Sequence, residues 1–275
     1  MKKWYAVIGD PIAHSLSPFM HDLWFEEHGI DATYIPIHVQ PFELENAFHS
    51  MKALGVSGFN ITLPHKQSVI PFLDKLDETA VIMNAVNTVT YNGRQYVGWN
   101  TDGDGFVRSL SAQPITRNEK VLVIGAGGAA RGIAFALKRA NFTDVTIANR
   151  THRRAVELAN DCGSSALTLK EAEAALGDFS IIIQTTSVGL AKDEALPISL
   201  ERISTGSLVA DIIYNPLETP FLKAAKEKNC TILNGVGMFV YQGAIAFEKW
   251  TGIQPDTEKM IQIITEKLGG NYVNR

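Results

Sequence analysis

The chain has 275 residues, of which 45% are hydrophobic, and its formal net charge at pH 7 is −4. This length is enough for two domains, and the slightly acidic balance disfavours nucleic-acid binding, which usually needs a basic face. Cys162 and Cys230 form neither a metal-ligand spacing nor a disulfide framework, so we expect a cytoplasmic protein. We expect no membrane association, because no apolar stretch reaches spanning length and residues 4–11 are too short an apolar run for a signal peptide.

Predicted strands and helices alternate through the first part of the chain. Residues 17–29 predict a helix with Ser17 as N-cap, Pro18 in the first turn and Gly29 as the stop. The other elements predicted here are strands over 5–9, 31–39, 57–64 and 85–91 and a helix over 41–55. This alternation predicts a mostly parallel sheet with helices on its faces.

A second alternation follows a polar stretch at residues 109–119, which we interpret as a domain boundary. Residues 120–150 read as a strand, a glycine turn, a helix and a second strand, within the roughly thirty residues of one βαβ unit. Further strand-to-loop junctions are predicted at 180–189, 207–216 and 231–235, and an amphipathic helical tail from Met238. The predicted fold is two α/β domains flanking a cleft, with domains at 1–110 plus 238–275 and at 111–237.

The glycine turn fits the pattern G-x-G-x-x-G/A at Gly125, Gly127 and Ala130. In such a turn the first glycine permits the tight bend, the second lets the backbone approach a pyrophosphate, and the third position keeps helix and strand close. The turn lies between a predicted strand and a predicted helix, whose N-terminus attracts phosphate. The second domain is therefore predicted to be a Rossmann-type dinucleotide-binding domain.

The end of the second strand distinguishes between the two nicotinamide dinucleotides. An NAD site places Asp or Glu there, whereas this chain reads ANRTHRR. Asn149 and Thr151 can form hydrogen bonds, and Arg150 with either Arg153 or Arg154 can clamp a 2′-phosphate. The pattern predicts NADP; the competing interpretation is a solvated helix start with surface arginines.

Polar residues also stand where the first domain needs a core, in the segments HSLSP, NITLPHK, NAVNT and GWNTDGDG. Helix capping, a strand edge, a turn or a solvated lysine would each explain one of them without function. His14, His21 and His65 share no ligand spacing, so no metal site is predicted.

Taken in order, nine segments resemble the shikimate dehydrogenase family, which reduces 3-dehydroshikimate to shikimate with NADPH in aromatic amino-acid biosynthesis. The segments are HSLSP, NITLPHK, NAVNT, NTDGDG, GAGGAARG, NRTHRR, TTSVG, DIIYNPLETP and GVGMFVYQGA. The resemblance implies that Lys66 and Asp102 form the catalytic pair. It also implies a substrate site in which Ser15, Ser17 and Tyr214 hold the carboxylate, Thr62, Asn87 and Gln242 bind ring hydroxyls or the carboxylate, and Asn60 lies beside them.

The resemblance extends to the cofactor. The residues expected to hold NADP are Gly125, Ala126, Gly127, Gly128, Ala129, Asn149, Arg150, Thr151 and Arg154. Those expected to line the cofactor or the cleft are Glu78, Thr186, Ser187, Ile212, Gly235 and Met238. The chain departs from the family at Gln184, Thr185 and Leu190 of the loop QTTSVGL, where N-A-T-S/P-x-G-M is frequent, and at Phe239, where leucine is frequent.

In the implied mechanism, the Lys66 ammonium donates a proton to the carbonyl oxygen and stabilises the developing alkoxide. Asp102 holds the amine and favours its charged form, and Pro64 is expected to end the preceding strand. The alternatives are a quinate/shikimate dehydrogenase that uses NAD and a non-catalytic NADPH-binding sensor. A methylene-tetrahydrofolate dehydrogenase-like enzyme and glutamyl-tRNA reductase are weaker, the latter because no cysteine precedes Cys162. The expected partner is a small-molecule substrate, for a monomer or homodimer.

Overall fold

The computed structural model describes residues 2–189 and 195–270. The strands are β1 (Lys3–Gly9), β2 (Ala32–His38), β3 (Gly58–Ile61), β4 (Lys75–Leu76), β5 (Thr88–Tyr91), β6 (Tyr96–Trp99), β7 (Val121–Ile124), β8 (Val145–Asn149), β9 (Ser165–Thr168), β10 (Ile181–Gln184), β11 (Leu208–Asp211) and β12 (Thr231–Leu233). The α-helices are α1 (Ser17–Glu27), α2 (Leu44–Ala53), α3 (Glu78–Met83), α4 (Asp102–Ser111), α5 (Gly128–Arg139), α6 (His152–Cys162), α7 (Leu169–Ala174), α8 (Pro220–Glu227), α9 (Val236–Thr251) and α10 (Thr257–Gly270). No helix in these ranges is long and apolar enough to cross a membrane.

The chain divides into two compact units. The first holds the described residues up to Thr101 together with Gln242–Met260, and the second runs from Asp102 to Tyr241 and takes in the described residues from Ile261. Helix α4 belongs to the second unit because it packs closely on α5, where a Cβ on Gly103 would collide with the Gly132 carbonyl. The boundaries that sequence analysis places at residues 110 and 238 stay a prediction.

The first unit contains a six-stranded sheet in the order β2-β1-β3-β5-β6-β4. Strands β2, β1 and β3 run parallel, as does the pair β4 and β6, whereas β5 is antiparallel to both of its neighbours. The sheet is therefore more mixed than the alternation predicts. Only four residues separate Tyr91 from Tyr96, and so short a connection joins antiparallel strands. Asn92-Gly93, with Gly93 at φ +87°, is a hairpin signal that the strand-and-helix alternation obscured.

The start of α1 differs from its prediction. Ser17 is the first helical residue, Leu16 occupies the N-cap position, and the backbone N–H of Ser17 donates to Ser15 Oγ at 3.3 Å. The prediction of Ser17 as N-cap is therefore wrong, because the helix begins one residue earlier than a serine cap requires. The predicted stop is confirmed: the helix ends at Glu27, and Gly29 adopts φ +62°, which favours glycine.

The second unit contains a fully parallel six-stranded sheet in the order β12-β11-β10-β7-β8-β9. Counted from β7, this is the order 3-2-1-4-5-6 of a Rossmann domain. Strand β7, helix α5 and strand β8 form the predicted βαβ unit. The predicted fold class, two α/β domains of which the second is of the Rossmann type, is confirmed. Such sheets bind ligands beyond the carboxyl ends of the two central strands, here β7 and β10.

Candidate active site

The glycine turn lies at the carboxyl end of β7. Gly125 has φ +123°, and a Cβ there would collide with the Thr185 hydroxyl, so both the backbone and the space require glycine. Gly127 and Gly128 have no atom within 4 Å of an added Cβ, which leaves their backbone open to a ligand at the start of α5. Ala130 is buried and lets α5 lie close to the sheet. The other predicted residues of this turn are Ala126 and Ala129, both half-buried.

The loop after β10 is held from within by Gln184, whose side chain is fully buried. Its Nε2 donates to the Val188 carbonyl at 3.0 Å, and its Oε1 accepts the Thr186 N–H at 2.9 Å. The glutamine that departs from the family pattern therefore shapes the loop that carries Thr186 and the exposed Ser187. Leu190, a further departure here, lies outside the described residues.

At the end of β8, Asn149 Nδ2 donates to the carbonyl of Thr151 at 3.0 Å. Thr151 occupies the N-cap position of α6, but its side chain makes no capping bond. Asn149 is half-buried and Thr151 is exposed, and both lie beside the helix start, where the sequence predicts them.

The three arginines of NRTHRR have different surroundings. Arg153 Nε donates to Glu157 Oε1 at 2.7 Å, and this hydrogen bond raises the pKa of Arg153. Arg150 and Arg154 are exposed and pair with no acidic side chain among the described residues. Of the two candidates that the sequence left open beside Arg150, the geometry favours Arg154.

Buried Asp211 organises the loop after β11. One of its oxygens accepts the Ile213 N–H at 3.0 Å and the other accepts the Thr219 hydroxyl at 2.8 Å. Burial raises the pKa of Asp211 to about 6, although both hydrogen bonds act in the opposite direction. A Cβ on Gly235 would collide with the Ile212 carbonyl, so the glycine lets the two segments touch.

Tyr214 lies on the same loop and packs against Phe239, with ring centroids 5.0 Å apart and planes inclined by 30°. Burial raises the pKa of Tyr214 above its usual value. Phe239, the departure from leucine, therefore gives this tyrosine an aromatic neighbour. Met238 and Ile212 pack, partly buried, against the core of the second unit.

In the first unit, Asn60 and Asn87 lie in one buried hydrogen-bond network. Asn60 Oδ1 accepts the Tyr34 hydroxyl at 2.7 Å, and its Nδ2 donates to the Asn87 carbonyl and to Thr88 Oγ1, both at 3.0 Å. Asn87 Oδ1 accepts the Thr101 N–H and the Thr88 hydroxyl, both at 2.9 Å. The structure thus brings these two predicted substrate residues together.

Ser15 and Ser17 follow β1, and Thr62 follows the neighbouring strand β3. Ser17 is 9% exposed. Burial raises the pKa of the Tyr34 phenol well above its usual value, and the Ser17 side chain acts in the opposite direction. Ser15 is half-buried and accepts the Ser17 N–H, as described above. Thr62 is half-buried just beyond β3, and its N–H donates to the Ile8 carbonyl at 2.9 Å.

Lys66 is half-buried in the turn after β3. Its carbonyl accepts the Val86 N–H at 2.7 Å, and the neighbouring His65, fully buried, donates from Nε2 to the Val39 carbonyl at 2.6 Å. Asp102 is the half-buried first residue of α4 and belongs to the second unit. The pairing of Lys66 with Asp102 stays a prediction.

Strand β3 ends earlier than predicted. Its last residue is Ile61, three residues before Pro64. Backbone hydrogen bonds to the β1 segment nevertheless continue to Leu63, because the Thr62 N–H donates to the Ile8 carbonyl and the Leu63 carbonyl accepts the Asp10 N–H at 3.0 Å. Pro64 follows directly, as expected for a residue that ends the pairing. The chain turns because the His65 N–H donates to the Thr62 carbonyl at 3.0 Å.

Gln242 is a half-buried residue of α9. The adjacent Gly243 lets this helix lie against α1, because a Cβ there would collide with the Met20 methyl. Glu78 is exposed at the start of α3 in the first unit, after the N-cap Asp77, whose side chain accepts the Thr79 N–H. It is therefore not among the second-unit residues around the glycine turn.

Comparisons with known proteins agree with this arrangement. Family models match at residues 7–89 (Shikimate dehydrogenase substrate binding domain), 110–212 (Shikimate / quinate 5-dehydrogenase) and 235–265 (Shikimate 5'-dehydrogenase C-terminal domain). A protein of Lysinibacillus sphaericus named Shikimate dehydrogenase (NADP(+)) is 54% identical, over 98% of this chain and 100% of its own length. The chain belongs to the shikimate dehydrogenase family. The predicted resemblance is thereby confirmed.

Two further members of the shikimate dehydrogenase family also match this chain over almost its whole length. A Geobacillus sp. protein with the same name is 47% identical over 98% of this chain and 100% of its own. The crystal structure of a shikimate 5-dehydrogenase from Thermus thermophilus, in complex with NADP(H) and shikimate, is 35% identical and has a TM-score of 0.88, covering 97% of this chain and 99% of that one. These names agree with the enzyme class and the cofactor predicted from the sequence.

Sequence reasoning missed the roles of the residues that hold these motifs in place. Tyr34, Thr88, Gln184 and Asp211 are all buried and hydrogen-bonded to the segments that carry predicted site residues. A polar residue at the last position of a buried strand, as at Gln184 and Asp211, is a signal that the sequence did offer.

Proposed function

We propose that this chain catalyses the reversible NADPH-dependent reduction of 3-dehydroshikimate to shikimate. The observation that carries the proposal is the match of the whole chain to relatives named Shikimate dehydrogenase (NADP(+)), at 54% and 47% identity. The enzyme class and the cofactor predicted from the sequence agree with those names.

The residues of the second unit are chemically suited to bind NADP. The backbone at Gly127 and Gly128 is open at the switch point of the sheet, and helix α5 directs its N-terminal N–H groups there. Strand β8 ends in Asn149 instead of a carboxylate, and Arg150 and Arg154 follow without acidic partners among the described residues. Guanidinium groups bind phosphate bidentately, so these two arginines would hold the 2′-phosphate.

Bound NADPH would supply the hydride, and the chain's own residues would supply positioning and the proton. Lys66 donates the proton to the carbonyl oxygen and stabilises the negative charge that develops on it. Asp102 would hold the amine in place. The hydrogen bonds of the Val86 N–H and of His65 fix the backbone from which Lys66 extends.

The substrate is proposed to bind through hydrogen bonds to hydroxyl and amide side chains. Such a site suits a small polyhydroxylated acid. It discriminates against an analogue that lacks a hydroxyl, because one polar side chain of the site is then left without a hydrogen-bond partner. Ser15, Ser17 and Tyr214 would hold the carboxylate, and Thr62, Asn87 and Gln242 the ring hydroxyls or the carboxylate, with Asn60 beside them.

The test is absorbance at the reduced-nicotinamide band with shikimate and either NADP⁺ or NAD⁺. We expect rapid formation of NADPH and little NADH. Equal or faster NADH formation would favour the quinate/shikimate dehydrogenase that uses NAD. A folded protein silent with both cofactors would contradict the proposal and favour the non-catalytic sensor.

A cytoplasmic location, the absence of nucleic-acid binding and a monomeric or homodimeric state stay predictions. Sedimentation of the purified protein with and without NADP⁺ would determine the oligomeric state.

A further inference from the structure

Tyr34 is a buried tyrosine on β2, and neither the motifs nor the family resemblance assigns it a role. Its side chain is 2% exposed, and its ring stacks on the His21 imidazole with centroids 4.5 Å apart and planes within 11°. Its backbone N–H donates to Asp22 Oδ1 at 2.8 Å. Since His21 and Asp22 both belong to α1, the ring and the backbone of Tyr34 are held by the same helix.

The Asn60 amide lies between the Tyr34 hydroxyl and the Asn87 carbonyl. The hydroxyl donates to Asn60 Oδ1 at 2.7 Å, while Asn60 Nδ2 faces the Asn87 carbonyl, which can only accept. The amide is therefore fixed at both ends. An amide oxygen accepts two hydrogen bonds, so Oδ1 keeps a second acceptor position beside the one that Tyr34 fills.

The hydrogen bonds run in one direction through the network. Asn60 Nδ2 donates to Thr88 Oγ1 at 3.0 Å, and the Thr88 hydroxyl donates in turn to Asn87 Oδ1 at 2.9 Å. Thr88 is fully buried. The Thr88 hydroxyl thus links the amide of Asn60 to the amide of Asn87, whose oxygen also accepts the Thr101 N–H.

We propose that Tyr34 and Thr88 are positioning residues that hold the Asn60 and Asn87 amides in the orientation that binds the ring hydroxyls of the substrate. The inference rests on the proposed function, because it takes shikimate as the ligand of these amides. A binding group that is already oriented does not lose rotational freedom on binding. Without the Tyr34 hydroxyl, Asn60 Oδ1 loses its donor, and without the Thr88 hydroxyl both amides lose a partner. The Asn87 carbonyl and the Thr101 N–H still hold the two amides, but with fewer bonds each amide is less narrowly oriented, and substrate binding must then order it.

The test measures kcat and the KM values for shikimate and NADP⁺ in conservative variants. Tyr34→Phe keeps the ring stack and removes the hydroxyl, and Thr88→Val removes a hydroxyl from the other side of Asn60. For each we expect the shikimate KM to rise about tenfold, the size expected for one lost buried hydrogen bond, with the NADP⁺ KM unchanged and kcat within about threefold. Thr88→Ser keeps the hydroxyl and should restore the wild-type KM.

Tyr5→Phe is the matched control, since Tyr5 is equally buried in the first unit and stacks on Phe25 at 5.0 Å. Its shikimate KM should not change. Thermal unfolding of each variant separates loss of structure from loss of positioning. Should Tyr34→Phe fail to fold, the Thr88→Val and Thr88→Ser pair carries the test alone.

A double-mutant cycle with Asn60→Ala distinguishes positioning from a general structural effect. If Tyr34 acts through Asn60, the double variant binds shikimate no more weakly than Asn60→Ala alone. Effects that multiply, or an Asn60→Ala variant with the wild-type KM, overturn the proposal. Failure of the proposed function is distinguishable, because then the wild-type protein itself does not turn over shikimate.

Discussion

At the residue scale, Lys66 combines a reactive side chain with a fixed backbone. The turn that carries it is anchored by buried His65 on one side and by the Val86 N–H on the other. A catalytic amine must be held close to the productive geometry. The sequence showed the lysine, but the His65 to Val39 bond that anchors its turn depends on contacts distant in the chain.

Replacing Lys66 by alanine should lower kcat by about 10²- to 10⁴-fold, because one positioned acid–base group contributes on that scale. Steady-state rates with saturating shikimate and NADP⁺ measure the effect. Lys75→Ala, at an exposed lysine of the same unit, is the control and should keep the wild-type rate. A Lys66→Ala enzyme with unchanged kcat would remove Lys66 from the mechanism.

The three arginines after β8 provide a matched comparison of cofactor selectivity. Arg150→Ala and Arg154→Ala should each lower kcat/KM for NADP⁺ about tenfold or more, the range of a charge-assisted hydrogen bond, and leave kcat/KM for NAD⁺ nearly unchanged. Arg153→Ala should change neither, since Arg153 is paired with Glu157. Loss of NADP⁺ preference in Arg153→Ala alone would reverse the assignment of Arg154.

At the scale of elements, the loops after β10 and β11 are held in the same way, by a buried polar residue at the last position of the preceding strand. Gln184 bonds to two backbone groups of its loop, and Asp211 bonds to the Ile213 N–H and the Thr219 hydroxyl. Buried polar groups require such partners. The loops beside the glycine turn are therefore shaped by the strands that precede them.

Thr219→Val should destabilise the protein by about 2 kcal/mol or more. The fully buried Thr219 hydroxyl donates to Asp211 and also caps α8 by accepting the Leu222 N–H, and losing a cap or leaving a buried charged group short of a bond costs about 1–3 kcal/mol. Urea denaturation followed by far-UV circular dichroism measures the change. Thr219→Ser keeps both bonds and should stay within about 1 kcal/mol of the wild type. Equal stability of the valine and serine variants would contradict this role.

At the scale of the whole molecule, stability should depend on pH through His21. This residue is fully buried among aromatic rings, and neither of its ring nitrogens has a hydrogen-bond partner among the described residues. Burial lowers the pKa of His21 to about 3 from the usual 6.5. Between these values the unfolded chain binds a proton that the native state does not, so the stabilisation is complete above pH 6.5 and is lost as pH falls towards 3.

His21→Phe keeps an aromatic ring at this position and should remove that dependence. Below pH 6.5 the wild type should lose stability relative to the variant by up to about 1.4 kcal/mol per pH unit. Trp4, Trp24, Trp99 and Trp250 all lie in the first unit, so tryptophan fluorescence during urea unfolding from pH 7 to pH 4 follows the unit that contains His21. Asp211, whose raised pKa has the opposite effect as pH falls, titrates in both proteins and cancels in the difference. If the free energy of unfolding of the two proteins changed with pH in the same way, His21 would be ruled out as the cause.

The sequence by itself determined the features that depend on neighbouring residues. The glycine turn, its helix and the absence of a carboxylate after β8 can be read within about thirty residues of chain, and the order of nine motifs indicated the family. The helix stop at Gly29 and most strands followed from local pattern in the same way. The antiparallel β5–β6 hairpin also had a local signal, Asn92-Gly93, which the alternation of strands and helices outweighed.

Only the tertiary structure decided which side chains meet. Tyr34 reaches Asn60 across 26 positions, and Asn60 reaches Thr88 across 28, because β1 lies between β2 and β3 while β5 pairs with β3. The periodicity of a strand indicates which residues face the core, but strand order and register set their partners.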